Sequence, residues 1–274
     1  MANTPLCVYK KKPINHHLKK QSIKKMKSTL FFALSLCGLF SSCTFAQSNP
    51  QILEKYEKPT LRGAGAIQKS TRKVENFTGV ASEVNADIFL TVGAYHFEIT
   101  GQENLTAALK VEVKNNVLHL WFDQEVKMDY NKKLKIKISA PAYASLSLAG
   151  SGSTDLNDAL TSESFNLTMA GSGTVRIPKL AVKELTATLS GSGRFQLGGK
   201  ADLMHLTLSG SGMMETAMVA AGDVNAVVSG SGQIYCKPTG DLNATISGSG
   251  NIRYRGKPRN VHTAINGSGT VEVE

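Results

Sequence analysis

Cleavage of a polysaccharide on an extended β scaffold needs paired carboxylates, or a metal beside a basic residue, facing each other across a groove. The second half of this chain carries the residue types: Asp155, Asp158, Glu163, Glu184, Asp202, Glu215, Asp223 and Asp241, with Arg176, Arg194 and Arg253. Their spacing points elsewhere. Most fall near turn signals or lie one repeat from an opposite charge, as Arg253 does from Glu272, a placement that pairs charges between neighbouring strands. His96, His119, His205 and His262 are scattered with no His-x-x-x-His, so no metal centre is expected. Gly199-Lys200 is followed by Ala201 and fails the phosphate-loop pattern, which needs Ser or Thr after the lysine. Calcium-binding β-roll repeats need an Asp two residues after a Gly in every repeat, and these repeats lack it. Cys236 stands alone beyond residue 46 and alternates with apolar neighbours, which marks a buried structural thiol rather than a nucleophile. The expectation is a chain that is not an enzyme, with no cofactor and no bound metal.

Serine is the reactive residue type with the most regular spacing. Gly-Ser-Gly begins at Gly150, Gly171, Gly191, Gly210, Gly230, Gly248 and Gly267, at intervals of 21, 20, 19, 20, 18 and 19 residues. A period near 20 is one turn of a solenoid. Around each tripeptide the chain alternates apolar and polar, as in Leu185-Thr186-Ala187-Thr188-Leu189-Ser190-Gly191-Ser192-Gly193-Arg194-Phe195-Gln196-Leu197. Alternation with period two is the signature of a β-strand. It runs straight through the glycines, which puts both glycines on the inward register at a bend or close contact and the serine between them outward. Stacked turns then align Ser151, Ser172, Ser192, Ser211, Ser231, Ser249 and Ser268 in one outward column, the candidate binding residues. The column before it, Ala149, Ala170, Ser190, Ser209, Ser229, Ser247 and Asn266, is also small and mostly hydroxylated. The fold expected is all-β: a parallel β-helix with about seven Gly-Ser-Gly rungs and a more irregular N-terminal β section.

The formal charge of +10 suggests an anionic partner until its distribution is considered. Eight lysines and no acidic residue fall within residues 1–46, and the remainder holds 23 basic against 21 acidic residues. No footprint for nucleic acid remains. The apolar run from Leu30 to Phe40 is too short to span a bilayer and reads as the core of a signal peptide. Met26-Lys27 before it has the look of a natural start, with residues 1–25 an over-extended beginning. Two processing outcomes stand open: cleavage after Ala46, or a lipid anchor on Cys43, for which Phe40-Ser41-Ser42-Cys43 is an imperfect lipobox. Either route exports the chain to the periplasm, outer membrane or cell surface, with membrane contact only through that anchor.

Residues 47–73 are polar, contain Pro50 and Pro59, and read as a tether. Residues 74–274 form one β-helix domain, in which residues 74–141 are the irregular section and cap and residues 142–274 hold the repeats. Strands are expected at Asp87 to Val92, His96 to Thr100, Lys110 to Val113, Val117 to Phe122 and Lys133 to Ile138, with Asn115-Asn116 as a hairpin turn. No long helical pattern occurs. At the C-terminus, Val271-Glu272-Val273-Glu274 alternates charge on the final strand, which discourages further stacking.

Together the leader, Val74-Glu75-Asn76-Phe77-Thr78-Gly79-Val80, the Gly101-Gln102-Glu103-Asn104 turn, Lys133 to Pro141 and the serial Gly-Ser-Gly units resemble the putative auto-transporter adhesin, head GIN domain family of Bacteroidetes. The resemblance spans residues 74–274 and implies a right-handed parallel β-helix exported to the periplasm or cell surface. It directs the functional reading to a cell-envelope binding or adhesion module, with a glycan or an envelope protein as partner. The alternatives are a structural, self-assembling envelope protein and, behind it, a polysaccharide-active enzyme.

Overall fold

The structure is a computed structural model that describes residues 60–129 and 132–274. The leader, Cys43 and residues 47–59 of the expected tether lie outside the described residues. The fold is nearly all β, a β-solenoid of about six turns. Its repeating part begins with β10 (Ser145–Gly150), β11 (Ser153–Leu156) and β12 (Leu160–Gly171). Three long strands follow, β13 (Thr174–Gly191), β14 (Arg194–Gly210) and β15 (Met213–Gly230), then β16 (Gln233–Cys236), β17 (Asp241–Gly248), β18 (Asn251–Tyr254), β19 (Asn260–Gly267) and β20 (Thr270–Val273).

All pairings among these strands are parallel, and their register aligns Gly150 with Gly171, then Gly191, Gly210, Gly230, Gly248 and Gly267. Alternation builds the core directly, because every second residue of a strand faces the interior. Val175, Phe195, Met214, Ile234 and Ile252 form one buried file and Leu167, Ala187, Leu206, Ala226 and Ala244 another. Cys236 is buried beside them, and that burial pushes its thiol up to about 12. Two further bends show as pairs of consecutive outward residues, Pro178-Lys179 and Lys183-Glu184, where the alternation slips by one.

The glycine corner needs no slip. The first glycine of each tripeptide has φ between +115° and +136°, a region that L side chains rarely adopt. A Cβ at Gly171 would lie 2.2 Å from the carbonyl oxygen of Gly150 beneath it. Rung-to-rung hydrogen bonds run through the corner, for example from Ser172 N–H to Gly150 O at 3.1 Å and from Ser192 N–H to Gly171 O at 3.1 Å. Absence of a side chain therefore lets the backbone turn while its ladder continues unbroken.

The N-terminal section stacks out of sequence order. It comprises β3 (Gly79–Ser82), β4 (Ala86–Val92), β5 (His96–Gln102), α1 (Glu103–Ala108), β6 (Lys110–Lys114), β7 (Val117–Trp121), β8 (Glu125–Lys127) and β9 (Leu134–Ala140). Strands β3 and β4 pair with β10 and β11 on one side and with β7 and β9 on the other. The chain thus lays one rung, makes an excursion that builds the level below it, and returns to lay the rungs above. Antiparallel pairs, β6 with β7 and β5 with β9, end the stack. Asn115 and Asn116 take φ of 52° and 61° in the β6–β7 turn, the left-handed pair that a tight hairpin requires.

Two expectations are corrected. Residues 60–71, assigned to the tether, contain β1 (Thr60–Arg62), which pairs with β8, and β2 (Ile67–Thr71), which pairs antiparallel with β5. Ile67 is the one large apolar residue of β2 and it is exposed, so an alternation signal never develops. The strand is held by its ladder and by Lys69, whose Nζ lies 2.7 Å from Glu98. Residues 103 and 104, assigned to a turn, open the six-residue helix α1, which buries Leu105 and Thr106. A single turn and a half is too short to display a helical period.

Candidate functional site

The seven Gly-Ser-Gly serines are all exposed along the glycine corner, and the register brings them into one file. From Ser172 to Ser268 each backbone N–H bonds to the glycine carbonyl of the turn below, while the side chains are on the exposed side. Beside them lie three more outward files on the strand that leads into each corner. The nearest contains Ala170, Ser190, Ser209, Ser229, Ser247 and Asn266. Next comes Thr168, Thr188, Thr207, Val227, Thr245 and Ala264, and the third is Asn166, Thr186, His205, Asn225, Asn243 and His262. Spacing along each file is that of adjacent strands, about 4.8 Å.

The third file is a partly linked polar ladder. Asn243 Nδ2 donates to Asn225 Oδ1 at 2.8 Å, and Asn225 Nδ2 lies 3.3 Å from His205 Nδ1. Glu184 reaches the other ring nitrogen of His205 at 3.7 Å. Sequence reasoning passed over this file and the threonine file, although both are legible as the fifth and third residues before each tripeptide. Hydroxyl, amide and imidazole groups thus make one polar face of small relief, with no charged residue between Asn166 and Ala170 or their equivalents one turn up at Thr186 to Ser190 and two turns up at His205 to Ser209.

The residues that could have done acid–base work are paired, most of them with one another. Arg176 Nε donates to Asp155 at 3.0 Å, Arg194 and Gln196 both hold Glu215, at 2.6 and 2.8 Å, and Arg253 lies 3.6 Å from Glu272. Glu163 binds Lys183 at 2.6 Å, and Asp158 accepts the backbone N–H of Val92 at 2.9 Å. Asp223 and Asp241 are acidic residues on neighbouring turns. Asp223 Oδ1 accepts the N–H of Asp241 at 2.8 Å, Asp241 Oδ1 accepts Asn260 Nδ2 at 3.0 Å, and Arg259 bridges both at 3.5 Å. Asp223, Asp241, Arg259 and Asn260 thus tie neighbouring strand ends together. Exposed pairs of this kind contribute little each to stability.

Glu98 is the most enclosed carboxylate, gripped by Lys69 at 2.7 Å and Lys137 at 3.5 Å. Hydrogen bonding to Lys69 holds its carboxyl below the usual range, opposed by burial and assisted by the charges of Lys69 and Lys137. It ties β2 and β9 to β5, an architectural task. Among the described residues no three His, Cys, Asp or Glu side chains converge as a metal site, and no helix is long and apolar enough to cross a membrane.

Comparison with known proteins bears on this geometry. A solved structure from Bacteroides fragilis, described as a putative adhesin, is 28% identical with a TM-score of 0.75, covering 78% of this chain and 100% of that one. A putative lipid binding protein from Parabacteroides distasonis shares the fold at 22% identity and a TM-score of 0.67, covering 79% of this chain and 100% of the other. A putative adhesin from Parabacteroides merdae does so at 23% identity and a TM-score of 0.64, covering 78% and 99%. Comparison with curated proteins finds no match. The family model for the putative auto-transporter adhesin, head GIN domain, matches residues 76–258, from the first rung through the sixth Gly-Ser-Gly unit, and the chain belongs to that family.

Proposed function

We propose that the chain is an exported, non-catalytic binding or adhesion module of the cell envelope, and that an extended glycan lies along its outward hydroxyl face. The observation that carries this reading is the unbroken register of serine, threonine and asparagine files from turn to turn. Such a face offers donors and acceptors at a repeat commensurate with an extended polymer, and its serine and threonine files carry no charge that a neutral glycan would have to desolvate. The adhesin descriptions of the family and of the Bacteroides fragilis relative support binding over catalysis. The interior is filled by side chains such as Phe165, Phe195 and Leu206, all buried, which favours a surface ligand over a lipid held inside. Export follows from the leader, with cleavage after Ala46 or lipidation of Cys43; identifying the exported N-terminus decides between them.

The exported form is expected to retain at least one class of envelope or host glycan on an array. Replacing Ser192, Ser211 and Ser231 together by Gln should weaken that retention about tenfold, roughly 1.4 kcal/mol, with unchanged circular dichroism. An array with no retention at all would sink the reading.

The exposed apolar residues of β19 support a second reading, self-association through that strand. In β19 the inward-register residues Val261 and Ile265 are 39% and 45% exposed, and Val273 of β20 is 66% exposed. The charges expected to guard the C-terminus are neutralised from below: Glu272 by Arg253, and Glu274 by Arg255. Strand β19 itself carries no carboxylate, lysine or arginine, and antiparallel pairing about Thr263 would set Val261 against Ile265 of a second copy. Light scattering should show mass rising with concentration, abolished by Ile265→Lys; a monomer at millimolar concentration excludes this assembly.

A further inference from the structure

The single Trp of the chain is turned outward in the capping section rather than used in the core. Trp121 and His119 are consecutive outward residues of β7. Across the hairpin they face Lys110 and Glu112 of β6. On the other flank His119 faces Ala81 of β3, and Glu83, two residues on, donates its backbone N–H to Leu120 O at 3.0 Å, which places it alongside Trp121. Ala81 is the small member of this group. Its lack of bulk leaves a groove of about 340 Å³ bordered by Glu83, Glu112, Lys114, His119 and Trp121. That volume lies within the range of small-ligand sites, roughly 300–1,000 Å³.

The groove joins the face already described. Ala81 pairs with Ser147, Ser147 with Thr168, and Thr168 with Thr188, so the threonine file runs from the floor of the groove along the solenoid. Its chemistry is specific. An indole offers a broad apolar surface with a polar edge, suited to the C–H face of a pyranose ring. Carboxylates beside it accept hydroxyl hydrogen bonds in the charge-assisted form. Lys110, opposite Trp121, is drawn to Asp123 at 3.3 Å, and the mixture of two glutamates with Lys114 and His119 lacks the cationic cluster that phosphate would demand.

We propose that the Trp121 groove is a sugar-binding subsite that anchors one pyranose unit of a glycan at the N-terminal end of the hydroxyl face. This rests on the glycan reading above. Because Trp121 is the only Trp, its emission reports the site directly. The exported form should be titrated with cellohexaose, laminarihexaose, mannohexaose and chitohexaose. At least one should shift the emission saturably, and Ala81→Leu, an outward change that fills the groove, should weaken that response at least tenfold with unchanged circular dichroism. Trp121→Ala should lower array retention by a similar factor, and Glu83→Gln should lower it with the fold undisturbed.

Emission unchanged by all four sugars, or equal affinity in Ala81→Leu, overturns the subsite. If that happens while an array glycan is still retained and lost in the triple serine variant, the face stands and the subsite alone falls. A saturable emission change without array retention keeps the subsite and removes the extended face. Silence in both assays removes both.

Discussion

Gly191→Ala is expected to lower the unfolding temperature far more than Gly150→Ala, although the two glycines share a φ of +120°. At both positions an L residue would sit in a sparsely populated backbone region, at a cost on the order of 1–3 kcal/mol. The environments differ in one respect. A Cβ at Gly150 meets nothing within 4 Å, whereas at Gly191 it would lie 2.5 Å from the Gly171 carbonyl oxygen and 3.2 Å from its carbon. That contact is with backbone, which cannot swing aside without breaking the hydrogen bond from Ser192 N–H to the same oxygen. Gly191→Ala should therefore cost at least about 2 kcal/mol more than Gly150→Ala, a further loss of roughly 4–8 °C for a domain of this size. Thermal unfolding followed by circular dichroism decides it: equal losses in the two variants would mean that backbone conformation alone, and not rung-to-rung approach, selects glycine.

Phe195→Ala is expected to be the most damaging single truncation in the repeats. Phe195 is fully buried, stacked between Val175 and Met214 in the same inward file. Truncation removes a buried aromatic and leaves a cavity whose walls are held by ladders above and below, so collapse is limited; the expected loss is about 3–5 kcal/mol. In a solenoid each turn contacts only its neighbours, and a defect in the middle weakens the coupling between the two halves. Denaturant unfolding should show a lower midpoint, and a broadened or split transition is the further sign of uncoupling. Met214→Leu, one level up and nearly volume-conserving, should cost less than about 1.5 kcal/mol. A Phe195→Ala loss as small as that of Met214→Leu would show that neighbouring turns close over the gap.

Both expectations rest on features that differ in how openly the chain displays them. The inward position of Phe195 is written in local alternation, since Phe195 stands two residues from Gly193 and two from Leu197. The corner was legible as a bend or close contact, but not which atom makes the contact, because the atom that forbids a Cβ at Gly191 belongs to a residue one turn away. Likewise the threonine and asparagine files needed only an alignment of the repeats, while their union with the Trp121 groove did not follow from any spacing. It depends on β3 lying between β7 and β10, an order of stacking that departs from the order of the chain.

By itself, the sequence determined the solenoid period, the inward and outward assignment of the residues flanking each Gly-Ser-Gly unit, the outward serine column and the family. These are local properties, fixed by a two-residue alternation and by glycine's freedom at positive φ, and repetition makes each of them visible several times. Only the tertiary structure decided that residues 60–71 are strands, that the capping excursion sets Ala81 beside His119, that Asp158 is taken up by the backbone of Val92, and that Val261 and Ile265 of β19 are exposed. Those outcomes depend on pairings between distant segments with no repeat behind them, where the chosen partner minimises unpaired backbone and exposed apolar surface for the whole domain rather than for any short stretch.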